Sequence, residues 1–220
     1  ATIGERPALL IVDVVRGFTG DRGESLAASV ARFRSSCGPY AWASIPRIAE
    51  LARAARGAGW PIIFTRASST APRSPIQVRK NARVASNDPT DREAGNQFLP
   101  ELAPEPGDLV IEKPRPSAFF GTGLLDELRR RGVDHLVVTG ATTSGCVRAT
   151  VNDGFSNDVP MLIPHECVFD RFPTSHRVEL FDINAKYADV ISVVDLLEHL
   201  GAAAGAAVSS AAGAAVERAR

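Results

Sequence analysis

Cysteine is scarce in this chain. Three residues, Cys37, Cys146 and Cys167, are too few and of the wrong parity for a disulfide framework, which points to a reducing compartment, the cytoplasm. Charge of one sign is missing as well. The 25 basic and 25 acidic residues leave a formal net charge of +0, without the electrostatic footprint of a nucleic-acid or anionic-membrane binder. A small neutral or singly charged partner is expected instead. No apolar run approaches the length of a membrane span. The opening stretch ATIGERPALLIVDVV lacks a basic segment leading into a cleavable apolar one, and Asp13 interrupts its only apolar run, so no targeting peptide is expected.

What is present is an alternation of strand-like and helix-like segments. With 220 residues, one domain with a sizeable core is the natural expectation, placed at residues 1–200 and followed by an alanine-glycine tail over 201–220. The tail is a helix extension, a packing arm or disordered chain. Continuous apolar runs at Ala8–Val14, Pro61–Thr65, Asp108–Lys113, Leu136–Val138, Val159–Pro164 and Ala188–Val194 read as six strands. Between them lie amphipathic helices. Ile45, Ile48, Leu51, Ala52 and Ala55 share one helix face, and Leu124, Leu125 and Leu128 share another. This order predicts an α/β fold, a doubly wound and mainly parallel six-stranded sheet with helices on both faces. Residues Val15–Tyr40 read as an excursion with one helical turn. Residues Arg66–Leu99 lack periodicity and are too long for an ordinary connection, which suggests a lid or an oligomer contact.

The most informative stretch is HLVVTGATTSGCVRAT, His135 to Thr150. An apolar run stops at a turn rich in Thr, Gly and Ser, and Cys146 then opens a helical pattern. A thiol at a helix N-terminus faces unpaired N–H groups and the positive end of the helix dipole, so a lowered pKa and thiolate character are expected. The same N–H groups could hold the oxyanion formed when sulfur attacks a carbonyl.

Other polar groups follow strands at the same end of the sheet. Asp13 ends the first run, where it is either a turn residue or functional, and Lys113 ends the third. Glu166, Asp170 and Arg171 follow the fifth. In open sheets of this kind ligands bind outside the carboxyl ends of the strands. Asp13 could take the thiol proton and later deliver it to a leaving amine, with Lys113 stabilising the charges, which is the chemistry of acyl transfer. Phe119, beside Phe120, is either core or pocket wall. Cys37 and Cys167 read as bystanders, although a redox pairing of Cys146 with Cys167 stays open. His165 and His176 are the only histidines near these strand ends, and neither has metal-ligand spacing, so no metal and no cofactor is predicted.

These residues resemble the isochorismatase-like cysteine hydrolases. The motifs IVDVVRGF, VIEKPRPSAFFGT, VTGATTSGCVRAT, ECVFDR and LFDINAKYADVIS carry the likeness, over roughly Arg6 to Leu200. The resemblance implies a catalytic triad of Asp13, Lys113 and Cys146. It implies a cis peptide at Ala141-Thr142, with the N–H groups of Thr142 and Cys146 as oxyanion hole. Within the family the sequence is similar to N-carbamoylsarcosine amidases and maleamate amidohydrolases, which release ammonia from small carboxylate-bearing amides or ureido compounds. In the carbamoylsarcosine branch Arg171 is implied as the carboxylate binder; Phe18 and Phe119 are expected, beside it, as an aromatic wall for the substrate. The zinc-dependent nicotinamidase branch carries an Asp-x-His motif after the second strand, and Arg66–Leu99 contains no histidine. The vinyl-ether-cleaving isochorismatase branch lacks the nucleophilic cysteine. A homo-oligomer, dimer or tetramer, is also implied, while a non-catalytic binding member of the fold is the alternative outside the enzymes.

Overall fold

The computed structural model describes residues 3–72, 75, 76, 79 and 93–201. Half of the stretch read as a lid or oligomer contact (residues 73, 74, 77, 78 and 80–92) and residues 202–220 of the tail lie outside the described residues.

The buried apolar runs form a parallel sheet. Its strands are β1 (Pro7–Val12), β2 (Ile62–Ala67), β3 (Leu109–Lys113), β4 (His135–Ala141), β5 (Met161–Pro164), β6 (Val168–Phe169) and β7 (Asp189–Ile191). The order is β3-β2-β1-β4-β5-β7, with β6 lying beside the end of β4. Among the described residues every ladder between strands is parallel. The sheet thus has seven strands, not six. The additional one is only two residues long, too short for any periodicity to reveal. After β5 pairs with the first half of β4, a tight turn at His165–Cys167 carries the chain outward. It then returns so that Val168 and Phe169 pair with Gly140 and Ala141.

Alternation along the strands divides the core in two. Leu9 and Ile11 of β1 face one cluster, in which Ile45, Ile48 and Leu51 of α3 (Pro39–Gly57) pack with Val193 and Leu196 of the helix at 193–201. Ala8, Leu10 and Val12 face the other. There Leu124 and Leu128 of α4 (Leu124–Arg131), Val151 of α5 (Arg148–Ser156) and Ile183 of α6 (Pro173–Lys186) cover the sheet. Helix α3 starts six residues before the apolar face suggested, because Pro39 occupies the first turn, where a missing N–H costs nothing. The excursion before it holds two helices, α1 (Arg16–Thr19) and α2 (Leu26–Arg32). Ser25 caps α2 by accepting the Ala28 N–H at 3.2 Å. Glu166 accepts the Val193 N–H at 2.8 Å and so caps the terminal helix, although its place after β5 had grouped it with the site. Among the described residues no helix is long and apolar enough to cross a membrane.

The chain runs outward from β1 through β2 to β3, then returns to lay β4 on the other side of β1. The β1/β4 boundary is therefore the point where strand order reverses, the expected place for a ligand crevice. The two strands meet tightly there. Gly140 has φ 100, and a Cβ on it would lie 2.1 Å from the Val12 carbonyl oxygen. Gly140→Ala should lower the melting temperature by about 6–12 °C, corresponding to about 3 kcal/mol in a domain of this size. An unchanged thermal midpoint would refute the close approach.

Candidate active site

Asp13 leaves β1 with φ 50, a left-handed conformation that aspartate tolerates better than most residues. Thr65, near the end of β2, holds it in place. The Asp13 N–H donates to Thr65 Oγ1 at 3.2 Å, and the Thr65 hydroxyl donates to Asp13 Oδ1 at 2.9 Å. This leaves Oδ2 for Lys113, whose Nζ lies 2.7 Å away. Both side chains are almost completely buried, at 4% exposure for Lys113 and 3% for Asp13. Lys113 comes from β3, two strands from β1, a backbone separation of about 10 Å that only a long side chain spans. Its ammonium has three donors and three acceptors: Asp13, the Arg115 carbonyl at 3.3 Å and Cys146 Sγ at 3.5 Å. The Asp13 carboxylate is also near enough to the Cys146 thiol to act on its charge. Three side chains from β1, β3 and the turn after β4 thus converge, and Thr65, which sequence reasoning passed over, completes the cluster. A signal for it existed: Thr65 is the polar residue ending an apolar run, as Asp13 is.

The turn bearing Cys146 begins with a cis peptide between Ala141 and Thr142. The Thr142 carbonyl then accepts two N–H groups, from Gly145 at 2.9 Å and from Val147 at 3.2 Å. The second bond spans five residues, so Thr143–Val147 forms a wide π-type turn, and regular helix begins only at Arg148. Gly145 sits at φ −117, ψ −105, which is not helical geometry. A Cβ there would lie 2.4 Å from Thr142 Oγ1. Thr150 on α5 ties the turn down, donating to the Cys146 carbonyl at 2.7 Å and accepting the Ala118 N–H at 3.0 Å.

The expected thiolate is corrected by this environment. Burial, followed by the neighbouring Asp13 carboxylate, pushes the Cys146 thiol up to about 12 against the opposing pull of Lys113. The helix N-terminus contributes less than the sequence suggested because the regular helix starts two residues later. Burial alone would lower Lys113, but Asp13 and Cys146 outweigh it and raise the ammonium above its ordinary value. The resting site is a neutral thiol beside a lysine-carboxylate ion pair. Its sulfur becomes a strong nucleophile only on losing the thiol proton.

The remaining expected residues are placed as follows. Arg171 donates from Nη1 to the carbonyls of Arg34 at 2.7 Å and Ser36 at 3.3 Å and stacks on Phe172, rather than touching the triad. Phe119 is buried in the second core cluster, against Gly154, so the structure places it as core. Phe120, its neighbour, is exposed. Phe18 is partly buried against the first cluster, and its carbonyl accepts the Cys37 N–H at 2.8 Å. Cys167 packs in the first core cluster and Cys146 against the second, on opposite sides of the sheet, which disfavours their pairing. All three cysteines are free thiols.

A parallel α/β sheet with a half-buried thiol beside a buried lysine and carboxylate at its switch point defines a class, the isochorismatase-like hydrolase fold. The isochorismatase domain model matches residues 7–195, and the chain belongs to that family. It is 33% identical to a maleamate amidohydrolase of Pseudomonas putida over 208 residues, covering 92% of this chain and 90% of that protein. It is 32% identical to an N-carbamoylsarcosine amidase of an Arthrobacter species over 211 residues, covering 90% of this chain and 73% of the other. Among solved structures, an isochorismatase family protein from Desulfovibrio vulgaris superposes with a TM-score of 0.71 at 26% identity, covering 90% of this chain and 100% of that one.

With the thiol raised, alkylation of Cys146 by iodoacetamide should climb about tenfold per pH unit from about pH 7 to 9.5 without levelling off. Peptide mass spectrometry after timed quenching measures this. A plateau below about pH 8 would mean that the helix N-terminus prevails over burial.

Proposed function

We propose that this protein is an amidohydrolase that cleaves the C–N bond of a small carboxylate-bearing amide or ureido compound and releases ammonia. One observation carries the reading: Lys113 Nζ lies 2.7 Å from Asp13 and 3.5 Å from Cys146 Sγ, inside a buried cluster beside the cis Ala141-Thr142 turn. A thiol and a proton acceptor, both in contact with one fixed cation, are the parts that acyl transfer to sulfur needs.

Sγ attacks the substrate carbonyl carbon as Asp13 takes its proton, and the carbonyl π pair moves onto oxygen. That oxyanion is received by the N–H groups of Thr142 and Cys146. When the tetrahedral species collapses, Asp13 returns the proton to the leaving nitrogen, ammonia departs and a thioester remains. Water, deprotonated by the same carboxylate, adds to the thioester. Its collapse expels the sulfur, which recovers a proton, and frees the acid. Lys113 stays an ammonium throughout, holding Asp13 in position and offsetting the charge on sulfur. No histidine is required.

The substrate carboxylate is assigned to Arg171. Its Nη1 is engaged by the Arg34 and Ser36 carbonyls, which fixes the guanidinium plane and leaves its remaining donors for an anion. Phe18 is assigned as an apolar contact. N-carbamoylsarcosine is the primary substrate candidate. Maleamate is the second, favoured by the match to a maleamate amidohydrolase over 90% of its length. A homo-oligomer in the reducing cytoplasm completes the proposal.

The test is ammonia release from N-carbamoylsarcosine, maleamate and nicotinamide, with and without chelator. Release from the two carboxylated compounds should survive chelation and fall by at least about a thousandfold in Cys146→Ala and Asp13→Asn. Turnover retained by Cys146→Ala would eliminate the thioester route. In a second assay Arg171→Met should raise KM for the carboxylated substrate by about a hundredfold with a smaller change in kcat. Equal KM values in variant and wild type would remove Arg171 from substrate binding.

A further inference from the structure

The turn that carries the nucleophile is gripped from a side that the chemistry above does not use. Asp170 follows directly on β6, whose pairing with β4 brings it beside the turn. Its carboxylate is buried, at 6% exposure. Oδ2 accepts both the Ser144 N–H at 3.0 Å and the Ser144 hydroxyl at 2.7 Å, and Oδ1 accepts the Phe172 N–H at 3.2 Å. One residue earlier in the turn, Thr143 Oγ1 is hydrogen-bonded to His176 Nδ1 of α6 at 2.8 Å.

We propose that Asp170 is a positioning residue that sets the oxyanion donors of the nucleophile turn by clamping Ser144. The proposal rests on the cysteine-hydrolase reading above and adds a residue to it. The geometry leaves the turn in need of such a clamp. The N–H groups of Gly145 and Val147 share the Thr142 carbonyl, that of Arg148 bonds the Gly145 and Thr143 carbonyls, and the dihedrals at Gly145 are not those of a helix, so the turn is not held as a regular helical ladder. Hydrogen bonds weaken steeply as the donor angle departs from linearity, and an oxyanion hole stabilises only if its N–H groups already point at the oxygen. Bonds to a carboxylate are the stronger kind available for this purpose. Three donors take up the Asp170 charge, which limits its repulsion of the oxyanion.

Two reactions at the same sulfur separate donor placement from thiol reactivity. Iodoacetamide is displaced at its methylene carbon and places no charge in the oxyanion hole. Succinic semialdehyde adds reversibly. A Sγ–C bond forms, the carbonyl π pair moves to oxygen and the thiol proton passes to Asp13, so the new oxyanion needs the turn N–H groups. Protection of Cys146 from alkylation by increasing aldehyde yields both quantities in one assay, read by peptide mass spectrometry.

For Asp170→Asn the protection constant should weaken about tenfold, less than the hundredfold or more lost with an oxyanion donor itself, while alkylation without aldehyde stays within about twofold of wild type. Ser144→Ala, which keeps the N–H bond and loses only the hydroxyl bond, should weaken protection about threefold. It decides the matter if Asp170→Asn does not fold. Protection unchanged in the folded variants, or lost in parallel with alkylation, overturns the positioning role. A wild type that aldehyde does not protect overturns the cysteine-hydrolase reading itself, and this proposal with it.

Discussion

The buried contact between Lys113 and Asp13 is the constraint on which the rest of the structure depends. Two charges at 2.7 Å, both nearly inaccessible to water, carry a desolvation cost that their attraction offsets only when the remaining hydrogen-bonding capacity is also met. Here it is met, by the Thr65 hydroxyl on Asp13 and by the Arg115 carbonyl and Cys146 sulfur on Lys113. Losing either partner would leave an unpaired charge in the interior, at a cost of about 3–5 kcal/mol. The pair therefore dictates that β1, β2 and β3 end at matching heights.

That alignment follows from the sheet. Parallel ladders hold Thr65 beside Ile111 and Ala67 beside Lys113, while Val12 pairs with Gly140 on the other side. Only a glycine with positive φ lets β4 approach β1 so closely, and β4 delivers the turn with its cis peptide and its thiol. The Asp13, Lys113 and Cys146 cluster is thus assembled where the strand order reverses, from residues that are distant in the chain and adjacent in the sheet.

Burial shapes how the site works as well as where it is. A thiol that is mostly deprotonated at rest would be open to oxidants, whereas one held neutral by desolvation becomes a nucleophile only as its proton leaves. The Asp13 carboxylate opposes the thiolate and Lys113 favours it; in the mechanism proposed above Asp13 takes the proton and Lys113 balances the charge.

Much of this was legible in the residues. Continuous apolar runs and period-3.6 patterns determined the alternation of strands and helices, the polar residues that end the runs named Asp13 and Lys113, and the turn that opens a helical pattern named Cys146. Those signals are local, and local signals survive in sequence. Tertiary structure decided what depends on non-local neighbours. The two-residue strand β6 exists only because β4 offers it a partner, and Glu166 left the site to cap a helix formed nearly thirty residues later. Phe119 packed as core, and Asp170 met Ser144 across 26 residues of chain. The thiol expected to be acidic became the opposite, because a helix terminus can be read from sequence whereas desolvation is a property of what packs around it.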